Sequence, residues 1–176
     1  MIIFTGVAGS GKSLQGKMLA DQEGLPWLST GEFLRMLISG DRRKDMLAGK
    51  LLEDQEIIAL VQRIFNVIDV KSEFVLDGFP RTVAQADWLL NQSKHGQLDI
   101  TGVMHLKASE DAVRKRLLER GRQDDTDAAI KERFNEYSQS ILPILEHFRD
   151  AGISVYDING EQDIAAVQAD IRKALK

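Results

Sequence analysis

Short apolar runs alternate along this chain with longer segments whose apolar positions recur at helical spacing. The runs that predict strands are Ile2–Phe4, Trp27–Leu28, Phe74–Asp77, Ile100–Leu106 and Ile153–Ile158. The predicted helices are Lys12–Glu23, a helix from the capping box Ser29–Glu32 to about Ile38, Asp41–Ala48, Asp54–Asp69, Val83–Asn91, Glu110–Arg120, Thr126–Arg149 and Asp163–Leu175. This alternation predicts an α/β fold in which helices cover both faces of a five-stranded parallel sheet, with ligands bound at the carboxyl ends of the strands.

The 176 residues are enough for one well-formed core, and we expect one domain with small insertions. Between residues 30 and 69 no strand is predicted, so this part is expected to be a helical insertion over the edge of the sheet. No stretch has the length or the flanks of a signal peptide or a membrane span. We therefore expect a soluble, cytoplasmic protein.

The composition excludes several kinds of functional site. The chain has no cysteine, which excludes disulfides, thiolate nucleophiles and cysteine-bound zinc, and its three histidines lie in unrelated segments without metal-ligand spacing. The formal net charge of −4 argues against binding nucleic acid through a generally basic surface. An anionic ligand must therefore be held by a local cluster of cations.

A complete G-x-x-x-x-G-K-[ST] motif spans Gly6–Ser13, between the first predicted strand and the first helix. Glycines in such a loop let backbone N–H groups surround phosphate oxygens, and the following helix adds its positive N-terminus. Lys12 is then expected at the terminal phosphates, and the Ser13 hydroxyl at a magnesium ion. The motif predicts a phosphate-binding loop of the P-loop NTPase type, formed by Gly9, Ser10, Gly11, Lys12 and Ser13, within a three-layer sandwich.

Asp77 ends the apolar run Phe74–Asp77, directly before Gly78. The carboxylate is therefore expected at the ligand-binding edge of the sheet. Since a phosphate loop is expected at the same edge, Asp77 is a candidate ligand of Mg²⁺, either directly or through water.

Several segments of the chain resemble adenylate kinases. Residues Asp77–Ala86 (DGFPRTVAQA) are similar to the signature segment of that family, and Ser29–Arg35 (STGEFLR) to its segment contacting the acceptor nucleotide. A third block, Arg116–Arg120 with Arg122–Asp125 and Arg133, is similar to the lid and its flanking helices. The resemblance runs in order over nearly the whole chain.

The resemblance implies a function and a set of residue roles. The activity implied is transfer of the terminal phosphoryl group of ATP to AMP with Mg²⁺, giving two ADP. The positions implied in AMP binding are Thr30, Arg35, Gly78, Arg81 and Gln85, with the arginines on the phosphate and Gln85 on the adenine. The positions implied around the transferred phosphoryl group are Lys12, Arg81, Arg120, Arg122 and Arg133, while Arg116 is expected to stack on the ATP adenine.

These roles agree with the chemistry of the side chains. Arginine offers planar, bidentate donors to phosphate, and the amide of Gln85 offers both donors and an acceptor to an adenine edge. The AMP phosphate is already largely ionised at neutral pH, so it attacks without help from a base. Catalysis is expected to consist of positioning and charge neutralisation, and no residue is assigned as an acid–base catalyst.

The chain departs from the family pattern mainly in its lid. Only Gly121 separates Arg120 from Arg122, where even short-lidded relatives have several residues, so a minimal lid is expected at about 120–125. The core is then expected to comprise 1–29, 70–120 and 123–176, and the acceptor-binding insertion about 30–69. Smaller departures are Ala8 for proline, Leu14 for a hydroxyl residue and Glu53 for proline.

Two alternatives to an ATP:AMP phosphotransferase remain at this point. One is a kinase for UMP or CMP, whose members generally lack the threonine and glutamine found here at Thr30 and Gln85. The other is a nucleotide-binding module that turns over little because its lid is minimal. In each case the expected partners are small nucleotides and the expected state is a monomer.

Overall fold

The computed structural model describes residues 1–47, 53–122 and 125–176. Its centre is a five-stranded sheet with the strand order β2-β3-β1-β4-β5, in which every neighbouring pair is parallel. The strands are β1 (Ile2–Thr5), β2 (Trp27–Ser29), β3 (Val75–Asp77), β4 (Gly102–Lys107) and β5 (Val155–Asn159). The prediction of a five-stranded parallel sheet is confirmed, with strand boundaries shifted by one or two residues.

The described helices follow the strands in the expected alternation. They are α1 (Lys12–Glu23), α2 (Thr30–Leu37), α3 (Gly40–Leu47), α4 (Asp54–Phe65), α5 (Val83–Lys94), α6 (Glu110–Arg120), α7 (Asp127–Glu136), α8 (Leu142–Asp150) and α9 (Ile164–Ala174). A π-helical turn, Tyr137–Ile141, joins α7 to α8. In the described residues, no helix has both the length and the apolar character that crossing a membrane requires.

The two faces of the sheet carry separate cores because successive strand residues point to opposite sides. On one face, Ile3, Leu76 and Val103 pack with apolar side chains of α4, α5 and α8. On the other, Phe4 and Met104 pack with apolar side chains of α1 and α9. Burial of each large apolar side chain contributes about 1.5–3 kcal/mol to the stability of the folded state. The cores therefore hold helices on both faces and leave the carboxyl ends of the strands open to a ligand.

Two helix predictions need correction. The helix predicted over Asp54–Asp69 ends at Phe65, because Asp69 instead accepts hydrogen bonds from the Lys71 backbone and the Ser72 hydroxyl and stabilises a turn. The helical stretch predicted over Thr126–Arg149 is interrupted by the π-helical turn, in which Leu142 N–H donates to the Tyr137 carbonyl. Pro143 follows directly and has no N–H with which to continue the α-helical pattern.

Some predicted features fall outside the described residues. These are Ala48, at the end of the third predicted helix, positions 49–52 of the predicted insertion 30–69, and positions 123–124 of the predicted lid 120–125.

Candidate active site

The phosphate loop leaves β1 at Thr5 and ends where α1 begins at Lys12. Gly6 has a φ of +135°, and a Cβ there would lie 2.4 Å from the Leu106 carbonyl oxygen, so no other residue fits. Gly11, the residue before α1, also lies in the left-handed region, with a φ of +101°. The glycines of the motif therefore allow the backbone to turn tightly at the N-terminus of α1, where anions are favoured.

Asp77 lies beside the phosphate loop. It ends β3, the strand next to β1, and pairs in register with Phe4, two residues before the loop. Lys12 is half-buried, and this burial lowers its pKa from 10.5 to about 8, while the charge of Asp77 acts in the opposite direction. Arg81 and Arg120 lower the pKa of Lys12 further. The predicted lysine and aspartate are thus neighbours.

Asp77 is suited to hold a cation. The residue is 1% exposed, and its Oδ1 atom has no hydrogen-bond partner among the described residues. A buried carboxylate oxygen without a partner is costly unless a ligand satisfies it. Ser13 and Asp77 line the same cavity, so the hydroxyl and carboxylate oxygens that Mg²⁺ prefers are both available there.

A cavity of about 350 Å³ opens above these strand ends. Its wall includes every cation predicted for the site: Lys12, Arg35, Arg81, Arg116, Arg120, Arg122 and Arg133. These residues come from four helices and two segments outside helices, in a protein whose net charge is negative. The arrangement can bind and neutralise a strongly anionic ligand such as a polyphosphate.

Asp125 organises three arginines in the wall of this cavity. Its carboxylate accepts two hydrogen bonds from Arg120, from Nε at 2.8 Å and from a terminal nitrogen at 2.5 Å. It also accepts from Arg133 at 3.2 Å and from the Arg122 backbone N–H at 3.1 Å. Burial favours the protonated form of Asp125, but the hydrogen bonds from Arg120, Arg122 and Arg133 and the charge of Arg120 together outweigh it and lower the pKa of Asp125.

The sequence pattern assigns no role to Asp125, although the residue belongs to the block that is similar to the family's lid. The available signal was a carboxylate set among closely spaced arginines, which is where an orienting acceptor is expected.

Glu32 joins Arg35, in α2, to Arg122, which follows α6. Its Oε1 atom lies 2.6 Å from Arg35 and 3.4 Å from a terminal nitrogen of Arg122. The hydrogen bond from Arg35 is the main reason that the pKa of Glu32 is lowered. One of the two hydrogen bonds of the predicted capping box is formed, since the Ser29 hydroxyl accepts from the Glu32 backbone N–H. The carboxylate of Glu32 is used to pair with the arginines.

Three predicted site residues, Ser10, Thr30 and Gln85, are buried and do not line the cavity. The Thr30 hydroxyl donates to the Gly78 carbonyl at 2.7 Å. The amide of Gln85 accepts from the Arg81 backbone N–H and donates to Asp54, both at 2.8 Å. The Thr30 and Gln85 side chains therefore lie behind the wall formed by Gly78 and Arg81 and support it.

Arg116, which also lines the cavity, donates to the Gly160 carbonyl at 2.9 Å. Gly160 is tightly packed, because a Cβ there would lie 2.5 Å from the Ser10 carbonyl oxygen of the phosphate loop. The contact holds the α6 arginine against the loop that follows β5.

Comparison with known proteins agrees with this geometry. The adenylate kinase family model matches residues 4–153. The chain is 38% identical to an adenylate kinase of Corynebacterium aurimucosum over 159 residues, which cover 87% of this chain and 88% of that protein. It is 34% identical over 180 residues to an adenylate kinase of Prochlorococcus marinus, covering 99% and 96%. Adenylate kinase 1 of Synechocystis is also 34% identical, over 184 residues, with the same coverage of the two chains.

Proposed function

The chain belongs to the adenylate kinase family and transfers the terminal phosphoryl group of ATP to AMP, and we propose that the cavity lined by Lys12, Asp77 and the arginines is where it does so. The observation that carries this proposal is that Lys12 donates to the Val7 carbonyl of the phosphate loop at 3.5 Å and is affected by the charge of Asp77, whose buried Oδ1 atom has no partner among the described residues. The arginines in the wall of the same cavity supply the charge that the phosphates of two nucleotides require.

On the donor side, we assign the ATP phosphates to the backbone of Gly9, Ser10 and Gly11 and to Lys12. We assign the adenine of ATP to Arg116, whose planar guanidinium can stack on a base. Mg²⁺, proposed to be held by Ser13 and Asp77 directly or through water, would neutralise charge on the phosphate oxygens when bound. This fits the buried Oδ1 atom of Asp77, which has no hydrogen-bond partner in the part of the chain that the structure describes.

On the acceptor side, we assign the AMP phosphate to Arg35 and Arg81, and the rest of the nucleotide to Thr30, Gly78 and Gln85. A phosphate oxygen of AMP attacks the terminal phosphorus of ATP, the bond to the bridging oxygen breaks, and ADP leaves. Lys12, Arg81, Arg120, Arg122 and Arg133 are the proposed catalytic residues, because their charges neutralise the oxygens of the transferred group. No proton has to be removed from the acceptor, so no base is assigned.

We propose that the chain works as one monomeric kinase domain in the cytoplasm. Its divisions are a core of 1–29, 70–120 and 123–176, an acceptor-binding insertion at about 30–69, and a minimal lid at about 120–125. A single chain supplies every cation assigned to the two nucleotides, so the proposed site needs no residue from a second copy. Light scattering of the purified protein tests the monomer, and fractionation of the source cells tests the location.

The acceptor assignment is tested by measuring kcat/KM for AMP, CMP and UMP with ATP as donor. We expect AMP to be the best acceptor, and Lys12→Ala to reduce turnover by at least about 10²–10³-fold, the usual effect of losing one transition-state donor. A preference for either pyrimidine would overturn the acceptor assignment. Near-normal turnover of Lys12→Ala would overturn the assignment of the cavity, and binding without turnover in the native protein would indicate a nucleotide-binding module.

A further inference from the structure

The side-chain amide of Gln85 is held on both sides. Its Oε1 accepts a hydrogen bond from the Arg81 backbone N–H at 2.8 Å, and its Nε2 donates one to Asp54 Oδ1, also at 2.8 Å. Gln85 is 2% exposed, so a base reaches the amide only after the surrounding side chains move. Both bonds are formed by the protein itself.

Asp54 belongs to a different part of the chain from Gln85. It is the first residue of α4, whereas Gln85 lies in the first turn of α5, 31 positions later. The same Asp54 oxygen also accepts from the Thr82 hydroxyl at 2.7 Å, and this hydroxyl in turn accepts from the Gln85 backbone N–H at 3.2 Å. Asp54 thus contacts both the residue that caps α5 and the amide that projects from it.

These two partners allow only one orientation of the amide. A backbone N–H is only a donor, and an ionised carboxylate is only an acceptor. Turning the amide by 180° would set Nε2 against the Arg81 N–H and Oε1 against the Asp54 carboxylate, so both bonds would be lost at a buried site. Asp54 and the Arg81 backbone therefore fix which end of the amide donates and which accepts.

The orientation matters because bases differ in the order of their donors and acceptors. Adenine offers an acceptor at its ring N1 next to a donor at its 6-amino group, whereas a 6-oxopurine offers a donor at N1 next to an acceptor at O6. Gln85 retains one N–H and one lone pair for such an edge. A freely turning amide would satisfy either pattern, but a fixed amide satisfies one and leaves buried groups unpaired against the other.

We propose that Asp54 determines acceptor specificity by fixing the Gln85 amide so that it accepts 6-aminopurine and rejects 6-oxopurine monophosphates. This inference rests on the proposed function, in which Gln85 contacts the acceptor base. Cytosine carries the same order of groups as adenine, and uracil the order of a 6-oxopurine. Asp54 accordingly separates AMP from IMP and CMP from UMP, while the distinction between AMP and CMP depends on the size of the base.

The test compares AMP with IMP, which differ only in the group at position 6 and the ring proton that accompanies it. Asp54→Asn removes the acceptor-only partner, because an asparagine amide can present either a donor or an acceptor to Gln85. The expected result is a fall of about tenfold or more in the ratio of kcat/KM for AMP to kcat/KM for IMP, with use of IMP gained. ATP is the donor, and the nucleoside diphosphates formed are separated by chromatography.

Two further variants complete the design. Asp87→Asn removes an exposed carboxylate from α5, two residues after Gln85, and is expected to leave the ratio unchanged. Asp54→Ser is a second variant in case Asp54→Asn does not fold, because a hydroxyl also both donates and accepts and serine is well tolerated at helix starts. A variant that lowers AMP and IMP use equally, with an unchanged ratio, would overturn the inference, since that is the effect of a structural role alone.

Gln85→Leu separates this inference from the proposed function on which it rests. If the ratio collapses in Gln85→Leu but stays native in both Asp54 variants, Gln85 contacts the base and only the role of Asp54 is wrong. If the ratio is unchanged in Gln85→Leu, the assignment of Gln85 to the acceptor base is wrong, and the inference fails with it. A collapse in both Gln85→Leu and Asp54→Asn supports the inference.

Discussion

The carboxylate of Asp125 holds the guanidinium of Arg120 through two hydrogen bonds, of 2.8 Å from Nε and 2.5 Å from a terminal nitrogen. Such a pair fixes the plane of the guanidinium as well as its position. The same carboxylate contacts Arg133 and the backbone of Arg122, so one buried acid orients the three arginines that meet the transferred phosphoryl group in our proposal.

Asp125→Asn should therefore lower kcat by about 10²-fold, the scale expected when catalytic groups are displaced by about 1 Å. The substitution also removes a negative charge beside the phosphates, and this effect of charge alone would strengthen ATP binding. Steady-state kinetics with ATP and AMP separate the two effects. Asp127→Asn is the matched control, since Asp127 pairs with Arg114 on the exposed surface at 2.9 Å. A kcat within about threefold of native would contradict the positioning role.

The apolar pattern predicted the sheet because buried parallel strands are continuous apolar runs bounded by turn residues, as in Val75–Asp77 before Gly78. The motif Gly6–Ser13 likewise predicted the loop from local residues. Asp54 could not be assigned in this way, because its role depends on partners that only the fold brings together. Asp54 meets Thr82 and Gln85 across 28 and 31 positions.

The pH dependence of ATP use should report on Lys12. Burial lowers the pKa of Lys12 to about 8, so its positive charge is lost as the pH rises through 8. The ratio kcat/KM for ATP reflects the free enzyme and should fall above about pH 8. Bound triphosphate raises the pKa of Lys12, so kcat alone should hold to a higher pH.

Lys12→Arg is the control for this profile, since arginine stays protonated throughout the range. The decline in kcat/KM near pH 8 should be absent in this variant, although its absolute activity will be lower. A native profile that is flat to pH 9.5, or the same decline in Lys12→Arg, would show that another group titrates.

His105 should make the fold sensitive to mild acid. Its Nδ1 atom lies 2.6 Å from Asp157 Oδ1 and its Nε2 atom 2.8 Å from the Tyr137 hydroxyl. Burial lowers the pKa of His105 below its usual value of 6.5 and outweighs the opposing effect of Asp157. The unfolded chain then binds more protons than the folded one as the pH falls through about 6.5, so the free energy of unfolding decreases.

Melting temperatures between pH 7.5 and 5.5 test this expectation. The native protein should lose stability over that range, and His105→Gln should lose less. His95→Gln, which changes an exposed histidine, should behave like the native protein. Equal acid sensitivity of the native and His105→Gln proteins would assign the effect to other groups.

The minimal lid proposed at about 120–125 leads to a prediction about how well the site excludes water. Two arginines separated by one residue cannot both continue one helical face, so their spacing predicts a helix break between them. Gly121 forms this break: it ends α6 in the left-handed region with a φ of +64°, and its N–H donates to the Leu117 carbonyl. From this glycine the two arginines diverge, with Arg120 bound to Asp125 and Arg122 directed towards Glu32 at 3.4 Å. Both reach the cavity wall, but the proposed lid at about 120–125 has little chain with which to cover a triphosphate.

Closure of a lid normally excludes water from a phosphoryl-transfer site. We therefore expect the protein to hydrolyse ATP slowly when AMP is absent, and a variant lengthened by several residues between Gly121 and Arg122 to hydrolyse it more slowly. The measurement is phosphate release from ATP without acceptor, compared with ADP formation when AMP is present. An insertion of the same length after Gly96, in an exposed turn after α5, is the matched control and should leave hydrolysis unchanged. Negligible hydrolysis by the native protein, or hydrolysis that the lengthened lid does not reduce, would mean that other parts of the structure exclude water from the site.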